Sequence, residues 1–547
     1  MTPWQRLVNL LKLDKRDINQ ILYYAIFAGI VALTLPLGIQ AIINLIQGAQ
    51  LSTSWIVLVV LVTLGVGFQG ILQLMQIRIL ENIQQKIFTR ASFEFAYRFP
   101  RIKWSELRND YPPELANRFF DTLTIQKGLA KILLDFPAAI LQIFFGLILL
   151  SLYHPFFIIY GLLLLILVFL VFKFTARKGL ETSLAESKKK YAAAHWLQEV
   201  SRSLTSFKFY GDADLAMERN NTLTEAYLKS RESHFKILML QFVQMIGFKV
   251  LVTAGLLLIG GLLVLGQEMN IGQFVAAEII ILLVINSVQK LIFGLENVYD
   301  ILTSLEKIGQ VVDKKLEAQD GRDPFERTDA VHFDINAVEY ITQDGTHILQ
   351  QINLELQKND RLFIKGPSGS GKTTLLKLLS GLITPSSGMI YINDFSFSGI
   401  GLSAYRSQIG QVLPDQMPFE GSILENITLG NENIGLDRVN KIVKELGLQD
   451  FVRRQPKGIY SSLFARGQQV PHTISKRILL AKAIVHNPKI LLLKDALEHF
   501  EKKEAERLME FLAHPERPWL LVVAGQNEYW ERFCNKKIEL APRKFKN

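Results

Sequence analysis

Six stretches of the chain are predominantly apolar over lengths that can cross a bilayer: Ile18 to Ile46, Trp55 to Ile77, Phe136 to Tyr153, Phe156 to Phe172, Ile237 to Leu265 and Ile271 to Phe293. A hydrocarbon core about 30 Å thick takes about 20 helical residues, and six such runs in one chain do not fit a buried soluble core. The pattern predicts an α-helical membrane region of six spans. At KKLEAQDGRDPFERTDA, Lys314 to Ala330, the chain turns charged and acquires Gly and Pro. Beyond it, short β-branched runs (VHFDI, RLFIKG, ILLLK, WLLVVAG) alternate with helical stretches such as LDRVNKIVKEL and KKEAERLMEFL, which is the pattern of a layered α/β domain. The division expected is 1–313 for the membrane region, 314–330 for a linker and 331–547 for the α/β domain.

Charge orients the spans, because Lys and Arg stay on the cytoplasmic side. The short connections Gln47 to Ser54, His154 to Pro155 and Gly266 to Asn270 carry neither residue. The long connections carry Arg78, Lys86, Arg90, Arg98, Arg101 and Lys103 in one, and Lys173, Arg177, Lys178 and Lys188 to Lys190 in the other. Both termini and both long loops are therefore expected in the cytoplasm, in an integral protein of the cell membrane, or of the inner membrane in a bacterium. Ahead of the first span, Trp4, Leu7, Val8 and Leu11 share a helical face flanked by Arg6, Lys12, Lys15 and Arg16, an interfacial helix rather than a cleavable signal.

The net charge of +10 could speak for nucleic acid, but the basic residues sit beside spans, where anionic membrane lipid is the partner that fits. No nucleic acid is expected. Cys534 is the single cysteine, which excludes an intramolecular disulfide and a cysteine-based metal cage; it reads as an inert thiol.

Candidate chemistry concentrates at GPSGSGKTT, Gly366 to Thr374, between the strand-like RLFI and the helical TTLLKLLSGL. It fits GxxxxGK[ST], a loop whose backbone N–H groups cradle nucleotide phosphates while the lysine neutralises them. Gly366, Pro367, Ser368, Gly369, Ser370, Gly371, Lys372, Thr373 and Thr374 are the expected nucleotide contacts, with the Thr373 hydroxyl the contact to Mg²⁺ if the metal binds.

With the phosphate loop placed behind six spans, the chain resembles the ATP-binding cassette exporters, as a half-transporter with one α/β nucleotide-binding domain. IGQVLPDQMPFEGSILENITLG resembles the Q-loop region, and RILLAKAIVHNPKILLL the signature helix and Walker B strand. The resemblance implies ATP as ligand and a dimer, homomeric or with another half-transporter. Each site is then built from one subunit's phosphate loop and the other's signature. It also implies cytoplasmic coupling segments that rest on the nucleotide domains, for which YPPELANRFF and TSFKFYGDAD are the candidates. The peptidase domain that precedes the spans in some peptide exporters is not expected.

Against that family pattern the chain departs at several functional positions. Walker B should end in Asp-Glu, for the Mg²⁺ shell and for the attacking water; here stand Lys494 and Asp495. Asp495 is the one candidate for a catalytic carboxylate, and strand alternation turns it away from the phosphates unless a bulge intervenes. Pro414 holds the Q-loop glutamine position, with Gln411 and Gln416 nearby. The signature LSGGQ becomes VPHTI, Val470 to Ile474, and the switch histidine becomes Gly525. Thr342 aligns with the adenine-stacking aromatic, leaving Tyr340 as its substitute. Lys494 could itself set a positive charge on the metal side of the phosphates, or could swing out to solvent.

Two readings follow. One is an exporter-type transport subunit that binds ATP, with a heteromeric dimer favoured because a homodimer would be defective on both sides of each site. The other is an ATPase-inactive nucleotide-binding scaffold or regulatory subunit. Within the membrane, Lys249 and Glu278 are expected to face the bundle interior, and Gln69, Gln73, Gln142, Gln241 and Gln244 to serve either the pathway or helix packing.

Overall fold

The computed structural model describes residues 1–48, 53–108, 110–209, 214–342, 344–464, 467 and 470–541. The chain divides into two compact units, Met1–Arg101 with Asn109–Lys314, and Ile102–Arg108 with Lys315–Asn547.

The first unit is helical: α1 (Pro3–Leu13), α2 (Lys15–Ala32), α3 (Thr34–Gln47), α4 (Thr53–Arg98), α5 (Pro112–Asn117), α6 (Asp121–Tyr153), α7 (Phe156–Arg202), α8 (Leu204–Phe209), α9 (Leu215–Leu265) and α10 (Ile271–Val312). Among the described residues six helical segments are long and apolar enough to cross a membrane, α2 and α3 together counting as the first. Pro36 accounts for the break between those two, since it has no N–H to give the carbonyl four residues back. Thr2 with Gln5, and Asn270 with Gln273, close reciprocal capping boxes that start α1 and α10. The last helix is the most buried, with Ala277, Ile280, Ile281, Val284, Ile285 and Val288 in the core at helical spacing.

Polar side chains inside this unit bond between helices. Ser287 Oγ donates to Gln142 Oε1 at 2.8 Å, and Gln241 Nε2 donates to Thr175 Oγ1 at 2.9 Å and to the Tyr299 hydroxyl at 3.0 Å. Gln142 and Gln241 therefore act as packing glue. In the single chain Lys249 is exposed on α9, while its neighbours Met245, Phe248 and Val252 are buried.

The second unit contains β1 (His332–Ile341), β2 (His347–Gln357), β3 (Arg361–Lys365), α11 (Lys372–Leu379), β4 (Ser387–Ile392), β5 (Phe395–Ser396), α12 (Leu402–Ser407), β6 (Ile409–Val412), β7 (Gly421–Ser422), α13 (Ile423–Thr428), α14 (Leu436–Glu445), α15 (Gln449–Arg453), β8 (Ser462–Leu463), α16 (His472–Val485), β9 (Ile490–Lys494), α17 (Lys502–Leu512), β10 (Leu520–Ala524) and β11 (Lys536–Glu539). A parallel sheet runs in the order β11-β3-β10-β9-β6, and an antiparallel one in the order β2-β1-β4-β5. Covering on both faces buries the parallel strands almost completely. Phe363, Leu491, Leu493, Leu521 and Val523 pack toward α16 and α17. Leu362, Ile364, Leu492 and Val522, one residue out of phase, pack toward α11 and the antiparallel sheet.

Residue Lys314 ends the first unit, and 315–330 are built into the second: Glu317 pairs with Arg406, Arg322 bridges Ile400, and Phe325 is in the core. The coupling candidate Tyr111–Phe120 folds inside the first unit. There Arg118 pairs with Glu114 at 3.0 Å and stacks 3.7 Å over the Tyr191 ring. The part of this loop that belongs to the second unit is Ile102–Arg108. The second candidate, residues 205–214, includes residues 210–213, which lie outside the described residues.

Candidate nucleotide site

Parallel pairing sets Ala524 beside both Ile364 and Lys494, so the carboxyl ends of β3, β9 and β10 meet, which is where open α/β sheets bind ligands. The first of these ends runs into Gly366. Gly371 takes φ +93° just before α11, and a Cβ there would lie 3.0 Å from the Ile348 carbonyl oxygen and 2.8 Å from Leu349 Cδ2. Only glycine lets the loop lie so close to β2.

The loop wraps Lys372, which is 7% exposed and donates from Nζ to the carbonyl oxygens of Gly366 and Pro367 at 2.6 and 2.9 Å. Burial lowers its pKa, the Lys494 charge lowers it further, and Asp495 works against both. Ser370 Oγ is buried without a hydrogen-bond partner. A cavity of about 400 Å³ opens over residues 368–374 and is closed opposite by Lys494, Asp495, Glu498 and Gln526. The orphaned hydroxyl, the glycine-shaped loop and the clustered lysines fit the triphosphate of ATP.

Lys494 and Asp495 both line this cavity, and Lys494 Nζ lies 3.1 Å from Asp495 Oδ2. Strand alternation alone does not allow this. Asp495 adopts φ +48°, and its N–H donates to the Ala524 carbonyl at 3.1 Å. The left-handed residue just past β9 turns the carboxylate back beside the lysine, doing the work expected of a bulge. Gly525 lies alongside, with room at its Cβ position, 3.4 Å from Asp495 Oδ1. Glu498 and Gln526 were missed from sequence; Glu498 is a carboxylate one turn past Asp495, and that spacing could have flagged it.

Other expected residues lie elsewhere. Gln416 accepts from the Leu413 N–H at 3.3 Å, Gln411 sits on β6 with its Nε2 buried and unpartnered, and neither lines the cavity. The turn around Pro414 is held by Lys476, 2% exposed, whose Nζ lies 3.1 Å from the Pro414 carbonyl oxygen. In VPHTI, Pro471 caps α16, and the His472 ring meets the His499 ring edge-on at 5.1 Å. Tyr340 is 7% exposed in the core of the antiparallel sheet and is not among the residues lining the cavity. Register shifts in β1 and the positive φ of Ala337 turn its ring inward. Thr342 spends its hydroxyl on Asp344 and on the Thr346 carbonyl.

A membrane unit of six spans and a nucleotide unit with its phosphate loop at the carboxyl edge of a parallel sheet define a membrane protein with an ATP-binding domain. Two family models match it, the ABC transporter transmembrane region over residues 20–288 and the ABC transporter domain over residues 349–498. The chain belongs to the ABC transporters, as a half-transporter with one transmembrane region and one ATP-binding domain. It is similar to the alpha-hemolysin translocation ATP-binding protein HlyB of Escherichia coli O157:H7, with 30% identity over 44% of this chain and 34% of that protein. A putative export ATP-binding/permease protein of Rickettsia bellii is 25% identical over 57% of this chain and 55% of its own length. The chain thus spans between about a third and just over half of these relatives. In fold it resembles a bacterial Atm1-family ABC exporter solved with ATP bound, with a TM-score of 0.85 at 16% identity over 96% of this chain and 93% of that one.

Proposed function

We propose that this protein is a transport subunit of an ABC exporter that binds ATP at Gly366–Thr374 and does not hydrolyse it rapidly in its own site. It sits in the bilayer with both termini cytoplasmic and pairs with another half-transporter, in a heteromer. The observation that carries this reading is the Lys494–Asp495 ion pair, 3.1 Å long, in the wall facing Lys372.

A fixed ammonium there stands where the family carries an acidic metal ligand, and the nearest carboxylate is spent on neutralising it. The residues present fit a Mg²⁺ shell poorly: of the two carboxylates in the cavity wall, Asp495 is engaged by the Lys494 ammonium, which leaves Glu498 alone with the Thr373 hydroxyl. Asp495 is also a poor general base while its carboxylate is held by Lys494. Losing a general base costs on the order of 10² to 10⁴ in rate. Binding does not need that base, since the loop amides and Lys372 address the phosphates directly.

Equilibrium titration of the purified full-length protein with a fluorescent ATP analogue tests this. Binding should weaken roughly tenfold or more in Lys372→Ala, the loss of a charge-assisted contact, and change little when Mg²⁺ is chelated. Abolition of binding by chelation would overturn the lysine-for-metal arrangement.

A further inference from the structure

The phosphate end of the site is accounted for, but the base end is not, because Tyr340 is buried and Thr342 is bound into its own turn. The group that lies over Tyr340 is the guanidinium of Arg108, its Cζ 5.4 Å from the ring centroid. Arg108 is exposed, at the end of the segment Ile102–Arg108 that belongs to the nucleotide unit. We propose that Arg108 is the stacking platform for the nucleotide base, a planar cation supplied by the loop after the second span. This rests on the reading that the phosphate loop binds ATP.

The path from phosphate to base is short. Gly371 packs against Ile348 and Leu349 of β2, and Leu349 lies opposite Tyr340 in the β1–β2 ladder, where paired Cβ atoms are roughly 5 Å apart. Arg108 in turn lies over the Tyr340 ring. A guanidinium within about 6 Å of an aromatic ring is held there by the ring's negative face. Its other face is flat, delocalised and weakly hydrated, and such a plane stacks on nucleobases as an aromatic ring does. Tyr340 thus acts at one remove, by setting the guanidinium plane.

The segment does not need Arg108 to stay in place. Ile102 bridges Leu316, the Lys103 N–H donates to the Lys315 carbonyl at 2.9 Å, and Lys377 Nζ lies 5.0 Å over the Trp104 ring. Substituting Arg108 therefore removes the platform and leaves the loop tethered. Because stacking tolerates any base, ATP and GTP should bind with similar affinity.

The test is calorimetric binding of ATP and of inorganic tripolyphosphate to the full-length protein in nanodiscs, in the wild type, Arg108→Ala, Arg108→Trp and Lys372→Ala. Arg108→Ala should weaken ATP roughly tenfold, the usual worth of one stacked base, with tripolyphosphate unchanged. Arg108→Trp should recover ATP binding. Equal losses for both ligands would mean a general electrostatic or folding role and would overturn the proposal, as would unchanged ATP affinity in Arg108→Ala. If Lys372→Ala keeps wild-type affinity for both ligands, the phosphate-loop reading fails and the base platform falls with it; if only that variant loses both, the phosphate reading stands by itself.

Discussion

Lys372 gives nucleotide binding an alkaline limit. Its charge attracts phosphate only while protonated, so affinity holds below its pKa and is lost as pH rises through it. Burial and then the Lys494 charge lower that pKa from the ordinary lysine value. Lys494→Ala removes a repelling cation and frees Asp495, and both changes raise the Lys372 pKa. ATP affinity measured across the alkaline range should therefore fall at a higher pH in Lys494→Ala than in the wild type; a midpoint that moves down would contradict the geometry. The phosphate loop itself was legible in the sequence because its glycines and lysine stand at fixed spacing. The directions in which Asp495 and Tyr340 point were not, and for one reason: each follows or contains a left-handed residue, φ +48° at Asp495 itself and at Ala337. Strand parity assigns a side chain to a face only while the pleat is unbroken.

Among the elements, the spans were legible from length and composition, since a helix in lipid must satisfy its backbone internally and advertise its apolar surface. The loop Ile102–Arg108 was not. It forms a single short turn, Trp104–Leu107, and its attachment comes from backbone bonds to Leu316 and Lys315, more than two hundred residues away. PPEL, by contrast, has the proline-led look of a helix start, and it does begin α5, within the membrane unit. The connection Gly266 to Asn270 joins α9 to α10 in a tight reversal with Gln267 at φ +60°, and it carries no Lys or Arg. A cysteine at Gln267 should react with an impermeant thiol reagent in intact cells. Native Cys534 should not, because the proposed topology puts it on the cytoplasmic side and burial pushes its thiol up to about 12. Labelling of Cys534 with Gln267→Cys silent would invert the topology.

For the whole molecule, the decisive features are those one chain leaves unfinished. Lys249 stands exposed amid the apolar surface of α9, and a lysine at that depth is costly against lipid. A second half-transporter covering that face, or a water-filled pathway between the two, removes the cost, which agrees with the dimer proposed above. In a homodimer every composite site would combine the Lys494–Asp495 wall with VPHTI, where Pro471 offers no N–H and His472 fills a glycine position. A partner with the family's usual residues repairs each site on one side only. The site on the partner's phosphate loop regains acidic ligands and base yet still faces VPHTI; the other gains a signature but keeps Lys494 and Gly525. Turnover by the purified chain alone should therefore be negligible. Lys494→Asp, Asp495→Glu and Gly525→His combined should not restore it, although the 3.4 Å clearance at Gly525 admits a side chain. Rebuilding 470–474 as LSGGQ in the same protein should. The assay is phosphate release from the reconstituted homodimer, and rapid release by the wild-type chain, abolished by Lys372→Ala, would mean that Asp495 works as a catalytic base despite its ion pair with Lys494.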